Sequence, residues 1–152
     1  MKTLNRRQPA TALTLRARTA ADLMTPNPAS ISQASSVREA AAFLTARGIS
    51  AAPVIDDAGR PIGVVSRSDI LSHHQAPAVD RTPVYSVMTP AVFCVRPDMP
   101  AAEVIETMVG LGVRRVFVVD EGGVLTGVVS ALDVLRKLCG RKRRAAGSAA
   151  RK

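Results

Sequence analysis

Aromatic residues are scarce: 3% of the 152 residues, with one Tyr, three Phe and no Trp. A chain so poor in flat rings has little with which to stack nucleobases, which disfavours a reader of single strands built on aromatic platforms. Cysteine is scarce too. Cys94 lies in an apolar strand-like run and Cys139 near the end of a helical pattern. Two thiols so placed make neither a disulfide framework nor a CxxC metal site, and a reducing, cytoplasmic setting is expected. No stretch approaches the ~18 apolar residues of a membrane span. Residues 8–20 lack the apolar core of a secretory signal and keep Arg16 and Arg18. The acid-free, Arg-rich start leaves an organelle transit peptide open on composition alone. No nucleophile–base pair, P-loop or dinucleotide glycine fingerprint occurs. Neither catalysis nor a catalytic cofactor is therefore expected.

What the chain does have is 47% apolar residues, mostly Ala, Val, Ile and Leu, enough for a packed core. It also has a net charge of +9, which by itself suggests a polyanion partner. The distribution qualifies that suggestion. Thirteen of the 21 basic residues fall in 1–20 and 136–152, where there is no acid, while 21–135 carries all 12 acidic residues and is mildly negative. The expected organisation is a basic, mobile segment 1–20 and a basic, mobile tail 139–152 around an acidic body, with polyanion contact through those ends.

The body repeats. Shifted by 64 positions, Met24-Thr25-Pro26 falls on Met88-Thr89-Pro90, Glu39 on Glu103, Gly48 on Gly112, Asp56 on Asp120, Gly59 on Gly123 and Asp69 on Asp133, without a gap. Gly63-Val64-Val65-Ser66 falls on Gly127-Val128-Val129-Ser130 in the same register. Internal repetition of this kind decides architecture before any local propensity does. Each unit reads as an extended run (29–32, 92–95), a helix, a strand (51–55, 115–119), a turn, a second strand (61–66, 125–130) and a closing helix near Asp69 or Asp133. Ser36 with Glu39 has capping-box spacing, and Gly48 and Gly112 stand where helices end. In the second unit Pro100 suits a first helical turn. The fold class expected is α/β, two β-α-β-β-α units over 21–75 and 84–138 joined by a linker, 76–83, with Pro77 and Pro83.

These residues resemble the CBS-domain family. "DLMTPNPASIS" and "SVMTPAVFCV" are similar to its opening, "GISAAPVID" and "GVRRVFVVD" to its second strand, "GVVSRSDIL" and "GVVSALDVL" to its close. The resemblance implies two units packed sheet to sheet about a pseudo-two-fold axis, a Bateman module. Clefts in such modules bind AMP, ADP, ATP or S-adenosylmethionine, and the module regulates an attached or partner protein.

Ser66-x-x-Asp69 and Ser130-x-x-Asp133 sit at strand-to-helix junctions. A helix N-terminus offers unpaired N–H groups to a phosphate. A serine hydroxyl can donate to that phosphate, and an ionised carboxylate, acceptor only, suits ribose hydroxyls. The same spacing is also a helix cap, and both readings stand. The resemblance implies two unequal clefts, each borrowing its adenine wall from the other unit. One takes Ser130, Asp133, Val128 and Arg114, with Thr25, Ala29, Ile49 and Ser50 as wall. The weaker takes Ser66, Asp69 and Val64, with Thr89, Phe93, Val113 and Arg114 as wall. Ala29 leaves room for a purine where Phe93 fills it. Arg67 is a lesser phosphate candidate. Phe117 replaces the proline usual in the family, kept here as Pro53, and puts strand geometry near Arg114 in question. His73-His74 reads as surface, not metal, since neighbours on a helix diverge, and Met24 and Met88 read as packing residues. Apolar helix faces with Ala40, Ala41, Leu44, Val104, Ile105 and Met108 point to a homodimer. The functions weighed are a nucleotide-sensing module acting on an effector protein, a nucleic-acid binder using its basic ends, and a ligand-free dimerisation module.

Overall fold

Glycines and short polar turns cut the apolar runs into strands and helices. The computed structural model describes residues 13–73 and 80–138. The first half runs α1 (Ala20–Leu23), β1 (Thr25–Pro26), β2 (Ile31–Ser32), α2 (Val37–Arg47), β3 (Ala51–Ile55), β4 (Pro61–Ser66) and α3 (Arg67–His73). After a single 3-10 turn at Val84–Ser86 come β5 (Cys94–Val95), α4 (Ala101–Leu111), β6 (Arg115–Val119), β7 (Leu125–Ser130) and α5 (Ala131–Leu138). The α/β class and the doubled β-α-β-β-α order are both present.

The repeat extends to backbone detail. Helix α2 starts on a reciprocal box in which Ser36 Oγ accepts from Glu39 N at 3.1 Å and Glu39 Oε2 accepts from Ser36 N at 2.7 Å. Gly48 and Gly112 end α2 and α4 at φ 62° and 65°, a left-handed conformation that a side chain would oppose. In each half the edge strand (β2 or β5) runs parallel to the next strand, which pairs antiparallel with the last; both hairpins slip register 64 positions apart, at Val54/Ile55 and Val118/Val119.

Two sheets result, β2-β3-β4 and β1-β7-β6-β5. The second contains a strand from the first half. Thr25 pairs with Val128 and Pro26 with Gly127, and Ala20 and Leu23 of α1 are buried in the second core with Val104, Val116, Val118 and Val129. The exchange is mutual. Val84 and Val87 are buried in the first core with Val37, Leu44, Val54 and Val65. Thr89 and Val64 trade backbone hydrogen bonds of 2.9 and 2.8 Å. Each helix start is also closed by the exchanged segment: Ala101 N donates to Arg18 O, and Val37 N donates to Thr82 O, both at 2.9 Å. Each buried Val or Leu withdrawn from water contributes roughly 1.5–3 kcal/mol, so the exchanged segments help to hold both halves together.

Glycine is required where they cross. A Cβ on Gly63 would lie 2.5 Å from Met88 Sδ and 2.8 Å from Thr89 O, and one on Gly127 would strike the Met24 side chain. The two methionines are thus the packing residues expected, each laid over the other half's glycine.

Four expectations change. Pro100 precedes α4 as its N-cap, because Arg18 O takes the first free N–H from outside. Phe117 leaves β6 in the same register as β3. It is 3% exposed, and its N–H, which Pro53 lacks, donates to Phe93 O at 2.8 Å. Ala40, Leu44, Val104 and Met108, expected on an outer helix face, are buried in the cores; the exposed apolar side chains on and beside these helices are Leu71, Val109, Leu111, Leu132 and Leu135. Finally, Leu15 and Ala17, read as part of a mobile segment, pack against the second core, since they alternate with Arg16 and Arg18 and so share one face. His74, Cys139 and Arg141–Arg144 lie outside the described residues.

Candidate functional site

Both Ser-x-x-Asp motifs stand at the strand-to-helix junctions where they were expected. Ser66 N donates to Asp69 Oδ2 at 2.7 Å, Ser66 Oγ donates to the same oxygen at 2.7 Å, and Asp69 N donates back to Ser66 Oγ at 3.3 Å. The second motif repeats this with 2.8, 2.7 and 3.2 Å. The capping geometry is therefore real in both halves. It engages one oxygen of each carboxylate and the hydroxyl proton of each serine, so a phosphate at either turn competes with the aspartate for that proton. Oδ1 is the oxygen that distinguishes the halves.

Asp133 is 8% exposed, whereas Asp69 is half-buried. Asp133 Oδ1 accepts from Thr25 Oγ1 at 3.3 Å and lies 3.6 Å from Arg136 Nη1. Thr25 reaches it because β1 pairs with β7, setting Thr25 opposite Val128. Arg114 is adjacent: its carbonyl accepts from Ala131 N at 3.0 Å, at the start of α5. The structure thus gathers Thr25, Arg114, Val128, Ser130 and Asp133 around one turn. Arg136 was not singled out from sequence, although its place three residues after Asp133 on a helix is a readable signal.

Ile49 and Ser50 contact the turn of their own half. Ser50 O accepts from Arg67 N at 2.9 Å, and Ile49 O accepts from Arg67 Nε at 3.1 Å. Arg67 is therefore partly committed to a carbonyl. Ala29 is exposed in the loop between β1 and β2. In the second half Phe93 is 38% exposed, its carbonyl held by Phe117 N. Thr89 meets Val64 through the backbone. Val113 lines an apolar groove of about 370 Å³ between α4 and α5, with Ile105, Met108, Val109, Val134 and Leu135. Its counterpart between α2 and α3, about 210 Å³, includes Arg67 and Thr45 among its lining residues. Among the described residues there is no cluster of three or more potential metal ligands, and no helix is long and apolar enough to cross a membrane.

Fold and turns define a duplicated α/β module whose halves exchange their opening segments. The CBS-domain profile matches residues 20–75 and 84–140, and the protein belongs to the CBS-domain family. The chain is 36% identical over 121 residues to the magnesium transporter MgtE of Thermus thermophilus, covering 76% of this chain and 26% of that protein. It is 30% identical over 115 residues to the A-adding tRNA nucleotidyltransferase of Aquifex aeolicus, covering 76% and 14%. The chain thus spans less than a third of either relative. Among solved structures it is similar to CBSX2 in complex with AMP, at 29% identity, TM-score 0.67, with 79% and 95% of the two chains covered. It is also similar to the cytosolic domain of the Mg2+ channel MgtE in complex with ATP, at 34% identity, TM-score 0.66, with 78% and 48% covered.

Proposed function

We propose that the chain is a regulatory module that binds an adenine nucleotide, or S-adenosylmethionine, and passes its occupancy to an effector protein, without catalysis of its own and in the cytoplasm. The observation that carries this reading is the Ser130–Asp133 turn completed by Thr25 from the other half. That pair ties ligand-binding groups to the exchanged strand, so a ligand there acts on the junction between halves. The AMP and ATP complexes of CBSX2 and the MgtE cytosolic domain support the ligand class. The preferred cleft takes Thr25, Ala29, Ile49, Ser50, Arg114, Val128, Ser130 and Asp133, with Asp133 facing ribose and Arg114 facing phosphate. Thr25 and Arg136 hold Asp133 Oδ1 in one orientation, bracing of the kind that lowers the cost of binding. The second cleft takes Val64, Ser66, Asp69, Thr89, Phe93 and Val113. The module pairs with a second copy through the exposed apolar side chains beside the helix grooves. Calorimetric titration with AMP, ATP and S-adenosylmethionine tests the reading; absence of binding by all three at millimolar concentration defeats it.

A further inference from the structure

Basic residues far apart in sequence meet at Arg16 and Lys137. Arg16 N donates to Lys137 O at 3.3 Å, bringing segment 13–18 against the last turn of α5. Leu15 and Ala17 face the second core, which turns Arg16 and Arg18 outward, where both are exposed. Arg16, Arg18 and Lys137 line a polar pocket of about 430 Å³, with Asp22 as its one carboxylate. Asp22 is already engaged: its Oδ2 accepts from Arg18 N at 2.9 Å and from Thr19 N at 3.2 Å. Those bonds fix the backbone that presents the arginines. Among the described residues neither Arg16, Arg18 nor Lys137 has a carboxylate within ion-pair distance, whereas neighbouring Arg136 is paired with Asp133. Three cations from opposite ends of the chain therefore converge on one opening that holds a single counter-charge, Asp22, whose Oδ2 is held by backbone N–H groups. Nothing in the proposed nucleotide cleft uses them.

We propose that this pocket is a binding site for the phosphodiester backbone of duplex nucleic acid, read without regard to sequence. Convergent Arg and Lys side chains favour phosphate oxygens by charge and by directed hydrogen bonds. Lys2, Arg6 and Arg7 precede the pocket in sequence, and Arg141, Lys142, Arg143 and Arg144 follow it. Further basic residues thus lie before and after it in the sequence, as a repeating polyanion favours. A duplex fits better than a single strand because no aromatic ring lines the pocket for a base to stack on. A bilayer fits less well, since Leu13 is the one large apolar side chain exposed on this segment, not the apolar face that interfacial binding needs.

The test is anisotropy of a labelled DNA duplex with the full chain between about 50 and 200 mM salt. Replacing Arg16, Arg18 and Lys137 by Gln should weaken binding about ten-fold or more at the low end and reduce the log–log salt slope by about 2 to 3. Arg16→Gln with Lys137→Gln alone, which leaves the Arg18 segment beside α4 untouched, should reduce it by about 2. A charge-matched control, Arg38→Gln with Arg47→Gln and Arg96→Gln, should leave the slope unchanged. The proposal is overturned if the control lowers the slope equally, if the pocket variants keep the wild-type slope, or if the wild type binds phosphatidylserine vesicles but no duplex. AMP titration of the pocket variants should match wild type, which separates this site from the nucleotide cleft.

Discussion

Thr25 Oγ1 donates to Asp133 Oδ1 across 108 positions of sequence. The bond exists because the opening strand of one half is built into the sheet of the other, and it makes the two carboxylate turns unequal. Asp133 has both oxygens engaged and is buried; Asp69 is held through Oδ2 and is only partly buried.

Asp133→Ala is expected to weaken adenine-nucleotide binding more than Asp69→Ala. A charge-assisted hydrogen bond contributes roughly 1.5–3 kcal/mol, about ten-fold or more in affinity. A purely capping role would cost about 1 kcal/mol of stability in either half with no change in affinity. Calorimetry and melting temperature on both variants separate these outcomes, and loss of all binding in Asp69→Ala alone contradicts the assignment.

Arg114→Ala should weaken AMP and ATP while leaving adenosine nearly unaffected, because only a phosphate meets the guanidinium. Equal weakening of all three ligands would place Arg114 in a packing role.

Gly63→Ala should destabilise more than Gly127→Ala. At Gly127 the three atoms nearest the new methyl all belong to the Met24 side chain, whereas at Gly63 they include the Thr89 carbonyl, which is pinned by Val64. Overpacking of this kind costs typically about 1–3 kcal/mol. Denaturant unfolding of the two variants gives the ranking, and the reverse order would count against a rigid crossing at Thr89.

Val109→Glu with Leu135→Glu should leave the fold intact and convert a dimer into a monomer. Val109 is 76% and Leu135 54% exposed beside the α4–α5 groove, so neither change buries charge in the core. Light scattering reads the result; a wild-type monomer at micromolar concentration refutes the dimer.

Asp22 should contribute to stability in an acid-limited window. Hydrogen bonds from the Arg18 and Thr19 backbones, with Lys137 close by, hold its carboxyl below the ordinary 3.8. Its contribution is then fully present above that value and is lost as pH falls through the lower folded one. Acid titration of wild type and Asp22→Asn should show curves that differ above the ordinary value and converge below the folded one.

Sequence alone determined the duplication, the element order and the turns that carry Ser66, Asp69, Ser130 and Asp133. These are local: glycines that adopt positive φ, capping spacings and short apolar runs need no distant partner to be read. Sequence did not show that Thr25–Pro26 completes the second sheet or that Val84 and Val87 enter the first core while Thr89 bridges to Val64. A two-residue strand has almost no pattern of its own, and its place is decided by which hairpin edge it pairs with. The same reason hid the Thr25–Asp133 bond, the burial of Ala40, Leu44, Val104 and Met108, and the meeting of Arg16 with Lys137. Periodicity shows that a face is apolar, but tertiary packing decides what covers it. Charge counts show two basic ends, but only the path of the chain brings Arg16, Arg18 and Lys137 to one pocket.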